Sequence, residues 1–280
     1  MRRNFKIIII VLMLVLTAGI FTSCSDTKET LFSINIINGK EVHITKYHGK
    51  SNRISVPAEI KGLPVTGISS NAFWGNTEAK SISLPDSVKV IGNNAFYSCK
   101  SITSFNIPKS LKELGENAFI GCDKLKDITI TEGNEFFFVK DGVLFNKDMT
   151  KLIIYPPQKN GKEYIIPSSV THLDKNSFFN NINISQITLP SGLIEIGPTA
   201  FKNCSSITQI EIPEGVTSIR AGAFWDCSNL TTIKIPNSVN SISDQVFYGC
   251  AKLSSIYVKQ GSYAHKWCED NSRTSVMKFY

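Results

Sequence analysis

Histidine is scarce in this chain, four in 280 residues, and no two of the four sit among enough partners to hold a metal. His43 and His48 stand apart from any cluster of ligand-type side chains, and His172 is read as lying on a convex turn. His265 and Cys268 do share a spacing of i and i+3, but two ligands fall short of the three or four a zinc site needs. Also missing are a Gly-rich phosphate loop, an H-E-x-x-H pair and a G-x-S-x-G elbow. The expectation is a protein with no catalytic residues, no metal and no cofactor. Charge excludes another class, because removal of Arg2, Arg3 and Lys6 with the leader lowers the formal net charge from +7 to +4. That is no nucleic-acid signature.

What the chain has is a repeat. Residues 213–235, PEGVTSIRAGAFWDCSNLTTIKI, recur with a period of 23, with copies starting at Pro85, Pro108, Pro167, Pro190, Pro213 and Pro236. A 28-residue relative starts at Pro57. Self-similarity at this period predicts a solenoid whose coils bury a shared core. Within each copy the segments ISLP, FNIP, ITLP, IEIP and IKIP alternate apolar and polar residues, as half-buried strands do, and Pro ends each one. Apolar pairs three and six residues after Pro, such as Val216 and Ile219, are expected to point back into the coil. Then come Phe73, Phe96, Phe119, Phe178, Phe201, Phe224 and Phe247, most of them behind Ala, where a small residue permits a tight turn and the ring fills the coil.

Read together, C-x-x-L-x-x-I-x-[IL]-P-x-x-V-x-x-I-x-x-x-A-F resembles the BspA-like branch of the leucine-rich repeats over about residues 32–270. The resemblance implies a mainly β, right-handed leucine-rich repeat solenoid with short parallel strands, displayed at a bacterial surface and often engaged in adhesion. It implies no catalytic residues.

The first 23 residues read as a leader, with Arg2, Arg3 and Lys6 ahead of an apolar run from Ile7. The following Phe-Thr-Ser-Cys resembles a bacterial lipobox that would be lipidated at Cys24, giving an exported protein anchored to the envelope and exposed on the outer membrane. Residues 24–31 read as a tether and 32–280 as the repeat domain. Two alternating strands around Asn38-Gly39 predict an N-terminal capping hairpin within 32–53, because an uncovered first coil would expose a strand edge. Repeats fill 54–258, the first lengthened around Lys61-Gly62.

Their register breaks once. After the strand ending at Ile130 the next equivalent, Tyr164-Ile-Ile166, arrives late and no Ala-Phe lies between. The intervening 131–163 predicts a hairpin of Val143 to Phe145 and Leu152 to Tyr155, packed onto its coil by Phe136, Phe137, Phe138, Phe145 and Tyr155. Residues 259–280 read as a C-terminal cap with a short helix behind Ser262.

Five of the seven cysteines, 99, 122, 204, 227 and 250, occupy one repeat position that is Asn76 and Asn181 in other copies. A position that accepts either residue calls for a small buried group able to hydrogen-bond the turning backbone rather than a disulfide partner, although adjacent copies about 5 Å apart leave 99–122 or 227–250 bridges open in an oxidising compartment. Two surfaces remain for ligands. On the strand face the only acids are Asp127 and Glu211, too far apart for paired-carboxylate chemistry, but Glu211, Lys234 and Tyr257 fall on consecutive coils beside Gln209 and Thr232. These five are the expected site for an extracellular protein ligand, a host matrix protein or a neighbouring cell's protein. The residue after each Phe forms a second series in which Trp74, Tyr97, Trp225 and Tyr248 would suit a glycan. A structural surface subunit without a soluble ligand is the third reading.

Overall fold

The computed structural model describes residues 29–280; the leader, Cys24 and the residues up to 28 lie outside it. Residues Glu29–Leu31 form a single 3₁₀ turn whose Leu31 carbonyl accepts from the His48 N–H. No helix among the described residues is long and apolar enough to cross a membrane.

Each coil contributes to two parallel strand rows. The first, the strand face, runs Arg53–Ser55, Ser81–Ser83, Ser104–Ile107, Asp127–Ile130, Glu163–Ile165, Gln186–Thr188, Gln209–Glu211, Thr232–Lys234, Ser255–Val258 and Met277–Phe279. Glu163, in register with Gln186, adds a third acid to a face expected to carry only Asp127 and Glu211. Alternation decides which side is buried: Ile210, Ile233 and Ile256 face the core while Gln209 and Glu211 face water. The second row, on the flank, holds two-residue strands such as Glu195–Ile196, Ser218–Ile219 and Ser241–Ile242, paired in parallel and in register. Val216 and Ile219 are fully buried there, as the inward-pointing pairs require. His172 belongs to this row, paired with Lys151 and Glu195, so its place is a flank strand and not a convex turn. The reason is stacking: two residues suffice for a strand when a coil lies on each side.

A third ladder closes each coil at its Phe turn. Residues two before and two after the Phe have positive φ, as at Asn94 (55°) and Ser98 (57°) around Phe96. That alternation aligns every second N–H along the solenoid. Asn94, Phe96 and Ser98 donate to the carbonyls of Glu116, Ala118 and Ile120 at 2.9, 2.9 and 2.7 Å, and the same triplet recurs from 71, 176, 199 and 222. Inside this ladder the rings form a column, Phe178 stacking on Phe201 at 5.0 Å and Phe201 on Phe224 at 5.3 Å.

The register break holds more than a hairpin. Phe137–Lys140, Val143–Asn146 and Lys151–Ile154 form an antiparallel meander, turning first at Asp141-Gly142, both with positive φ, and the last of its strands joins the flank row beside His172–Leu173. Phe137, Phe145 and Tyr155 are buried as the packing reading requires, whereas Phe136 and Phe138 stay exposed on the alternate positions. The central strand is buried on both sides. Leu144 belongs to the apolar cluster of the N-terminal coils, and Val143 and Phe145 to that of the C-terminal coils, so one strand divides two cores.

This coil also lacks a full Phe turn. Tyr155 supplies its ring, stacking on Phe178 at 5.0 Å, and Pro156 and Pro157 cut the corner. A proline has no N–H to give a ladder.

At the N-terminal end, strands Phe32–Ile37 and Glu41–Tyr47 pair across a three-residue connection, Asn38, Gly39 and Lys40, the first two with positive φ, and Glu41–Tyr47 joins the flank row through Leu63–Ile68. At the other end the Ser262 hydroxyl accepts from the His265 N–H at 3.1 Å and starts the helix Tyr263–Asp270. Cys268 is fully buried in that helix, while His265 lies 3.5 Å from Glu269. Among the described residues no group of three or more His, Cys, Asp or Glu could hold a metal ion.

Candidate functional site

The repeat sets the geometry of the strand face, because a 23-residue step puts the same position of successive coils side by side. Glu211 pairs with Lys234, Lys234 with Tyr257, and Tyr257 with Lys278 in parallel register. Gln209, Thr232 and Ser255 form the adjacent column. The five residues expected to form a site are thus neighbours.

Their charges are partly satisfied among themselves. Lys234 Nζ lies 2.7 Å from Glu211 Oε1 and 4.8 Å above the ring of Tyr280, whose hydroxyl donates to the Ile235 carbonyl. The Glu211 carboxylate holds the Lys234 amine above its usual range. Both partners are well exposed, so water screens the pair and it contributes little to stability. Tyr280 and Lys278 complete a patch that the repeat pattern alone does not contain. The signal for them is the alternation in Val276-Met-Lys-Phe-Tyr280, which the structure turns into the last strand of the row. Toward the N-terminal coils the equivalent positions are short and uncharged: Thr129 Oγ1 donates to Asn106 Oδ1 at 2.9 Å, a polar ladder closed on itself.

The second series gathers at the two ends of the turn edge. Trp74 and Tyr97 meet at 5.4 Å between ring centroids, Trp225 and Tyr248 at 4.9 Å, and Lys202 Nζ caps Trp225 at 4.2 Å. Trp74 and Tyr248 are more than half exposed, at 59% and 58%, so packing on the next turn covers only part of each ring. Between the pairs stand Ile120 and Phe179, and there the turn edge is interrupted by a cavity of about 160 Å³.

The cysteine position works through the backbone. Cys99, Cys122, Cys204, Cys227 and Cys250 each donate from Sγ to the carbonyl of the Phe one coil earlier at 3.0–3.2 Å. Burial pushes the Cys99 thiol up to about 12, so it stays protonated and able to donate. All six cysteines of the described residues are free thiols. Asn181 does the same work with more bonds, since its amide donates to the carbonyls of Pro156 and Pro157 and its oxygen accepts from Asn183 and Ile184.

Two solved structures share this architecture. The pneumococcal vaccine antigen PcpA is 23% identical, with a TM-score of 0.66 over 81% of this chain and 79% of that one. A leucine-rich repeat protein from Eubacterium ventriosum is 19% identical, with a TM-score of 0.51 over 82% and 84%. No curated protein matches by sequence. The BspA type leucine rich repeat region, in six copies, matches residues 46–160 and 155–270, which takes in all seven Phe turns. The chain therefore belongs to the BspA-type leucine-rich repeat family.

Proposed function

We propose that the chain is a bacterial cell-surface recognition module that binds a protein ligand at the C-terminal end of its strand face. The observation behind this is the in-register column of Glu211, Lys234 and Tyr257, flanked by Gln209 and Thr232 and extended by Lys278 and Tyr280. An acid, a base and an aromatic within about 10 Å offer charge and shape that a solvated sheet face does not need. A triple Glu211→Ser, Lys234→Ser, Tyr257→Ser variant is expected to lose at least tenfold in affinity for a matrix protein found by panel screening. Its unfolding midpoint should barely move, because exposed substitutions cost about 0.5 kcal/mol or less. Unchanged affinity in the triple variant would remove the strand face as the site. The exposed ring pairs favour glycan as a second reading, in which Trp74→Ala and Trp225→Ala, and not the triple change, abolish signals on a glycan array. A blank on both panels would leave the structural-subunit reading.

The anchor belongs to the same proposal and rests on the apolar run that ends at Cys24. Full-length protein expressed in a bacterial host is expected to incorporate labelled fatty acid and partition into detergent, and Cys24→Ala to do neither. Wild-type protein that takes up no label would exclude lipidation.

A further inference from the structure

The cavity on the turn edge is the place of a missing turn. On the N-terminal wall, Asn117, Phe119 and Gly121 occupy the ladder positions whose equivalents donate to the next coil, yet among the described residues their N–H groups have no acceptor. On the opposite wall, the Ser177 carbonyl is taken by the Tyr155 N–H at 2.7 Å, while the carbonyls of Lys175 and Phe179 have no donor among the described residues. Every other pair of adjacent regular coils completes all three bonds. Gln245, Phe247 and Gly249 also lack acceptors, but they end the ladder, and no row of carbonyls faces them across a gap. Among the described residues, only at the cavity do a donor row and an acceptor row stand opposite each other, separated by one shortened coil.

Backbone N–H and C=O groups are nearly always paired, with protein or with water, so a slot that offers a row of each favours an occupant able to pair with both. An anion would suit the donor row alone, but Glu116 and Asp123 flank that row and the facing wall offers carbonyls. Tyr155 already fills the ring position and is 2% exposed, so no large side chain can enter. A stretch of main chain with small side chains fits both walls at once, donating to one and accepting from the other, as in strand addition at a sheet edge. The mouth is spanned by three side-chain bridges, Lys175 to Glu116 at 2.7 Å, Asn176 to Asn117 at 2.9 Å and Asn180 to Asp123 at 2.9 Å. These are exposed or partly exposed polar contacts that can part for an entering chain.

We propose that this slot receives an extended, small-side-chain polypeptide segment of a partner protein, held by main-chain hydrogen bonds at Asn117, Phe119 and Gly121. The site lies on the turn edge and rests on no part of the strand-face reading; the triple serine variant should leave it intact. The probe is a synthetic peptide of the chain's own regular turn, residues 92–100, with Phe96→Ala, Tyr97→Ala and Cys99→Ser. Titrated into ¹⁵N-labelled protein at millimolar concentration, it is expected to shift the amide signals of Asn117, Phe119 and Gly121 and to slow their hydrogen exchange. Ile120→Trp should weaken this at least tenfold by filling the mouth, and it is safe for folding because the same column already carries Trp74 and Trp225. Lys202→Trp, in that column but away from the slot, should change nothing. A peptide N-methylated at alternate residues should fail to bind. The proposal is overturned if the three amides do not respond, if the N-methylated peptide works as well, if Ile120→Trp binds like wild type, or if sodium acetate alone reproduces the shifts.

Discussion

Phe201→Ala should lower the stability of the protein by about 3–5 kcal/mol, one of the largest effects of any single truncation in the fold. The ring is completely buried and lies face to face with Phe178 on one side and Phe224 on the other, with interplanar angles of 19° and 5°. Truncation removes the transfer term of the ring and also leaves a void that the two flanking rings cannot close, because each is held by its own coil. Offset ring pairs add about 0.5–1.5 kcal/mol each beyond burial, and two such pairs are lost. Chemical denaturation against a Lys202→Ala control, one residue away and outside the column, is the measurement. A midpoint equal to wild type would mean that the ring column is not what holds the coils together.

Asn134→Leu is the second large change, for a reason of a different kind. Asn134 is 3% exposed, and its amide donates to the Pro108 and Leu111 carbonyls at 2.9 Å each. Its oxygen accepts from Phe136 at 2.9 Å and Phe137 at 2.8 Å. One side chain thereby fastens the start of the meander to the preceding coil. Leucine has similar bulk but orphans the buried N–H of Phe137 and the part-buried N–H of Phe136, at about 1–3 kcal/mol for a fully buried group, so a loss of about 2–4 kcal/mol is expected. Limited proteolysis should cut the variant first between 135 and 163. Wild-type resistance together with an unshifted midpoint would show that water replaces the carboxamide at no cost.

The two substitutions mark where the sequence was readable and where it was not. Phe201 is visible at once, since apolar residues at a fixed period have no explanation but a shared core. The alternating strand face, the Asn38-Gly39 turn, the Ser262 cap and the Cys or Asn position were legible on the same ground: each is a local chemical requirement. The flank row was read only as inward-pointing residues, because two-residue strands such as Ser218–Ile219 arise from stacking and carry no propensity signal of their own. Strand Phe137–Lys140 hid inside a run of aromatics, and strand Met277–Phe279 in a tail too short to show a period. In the candidate site, the side-by-side placement of Glu211, Lys234 and Tyr257 followed from the period alone. Their ion pair and the Tyr280 ring above Lys234 did not, since the last strand had first to be recognised. The slot at Asn117 to Gly121 was half visible, as the one coil without Ala-Phe. That its walls keep unspent donors and acceptors depends on the left-handed residues on either side of each Phe, a rule that only the folded turn reveals.

The turn ladder gives the molecule a vector. In every regular step the N–H groups point toward the C-terminal neighbour and the carbonyls toward the N-terminal one, so the two ends of the stack are chemically unlike. Through this edge a second copy can add only head to tail, never as a two-fold dimer, and a head-to-tail contact that does not close on itself grows into a filament. The ends are occupied accordingly. The Tyr47 N–H takes the Ala72 carbonyl at the first turn, and Trp267 of the helix packs edge-on against Phe247 at the last. The residues that finish the spiral thus stand where a one-directional lattice of bonds would otherwise continue into the next molecule.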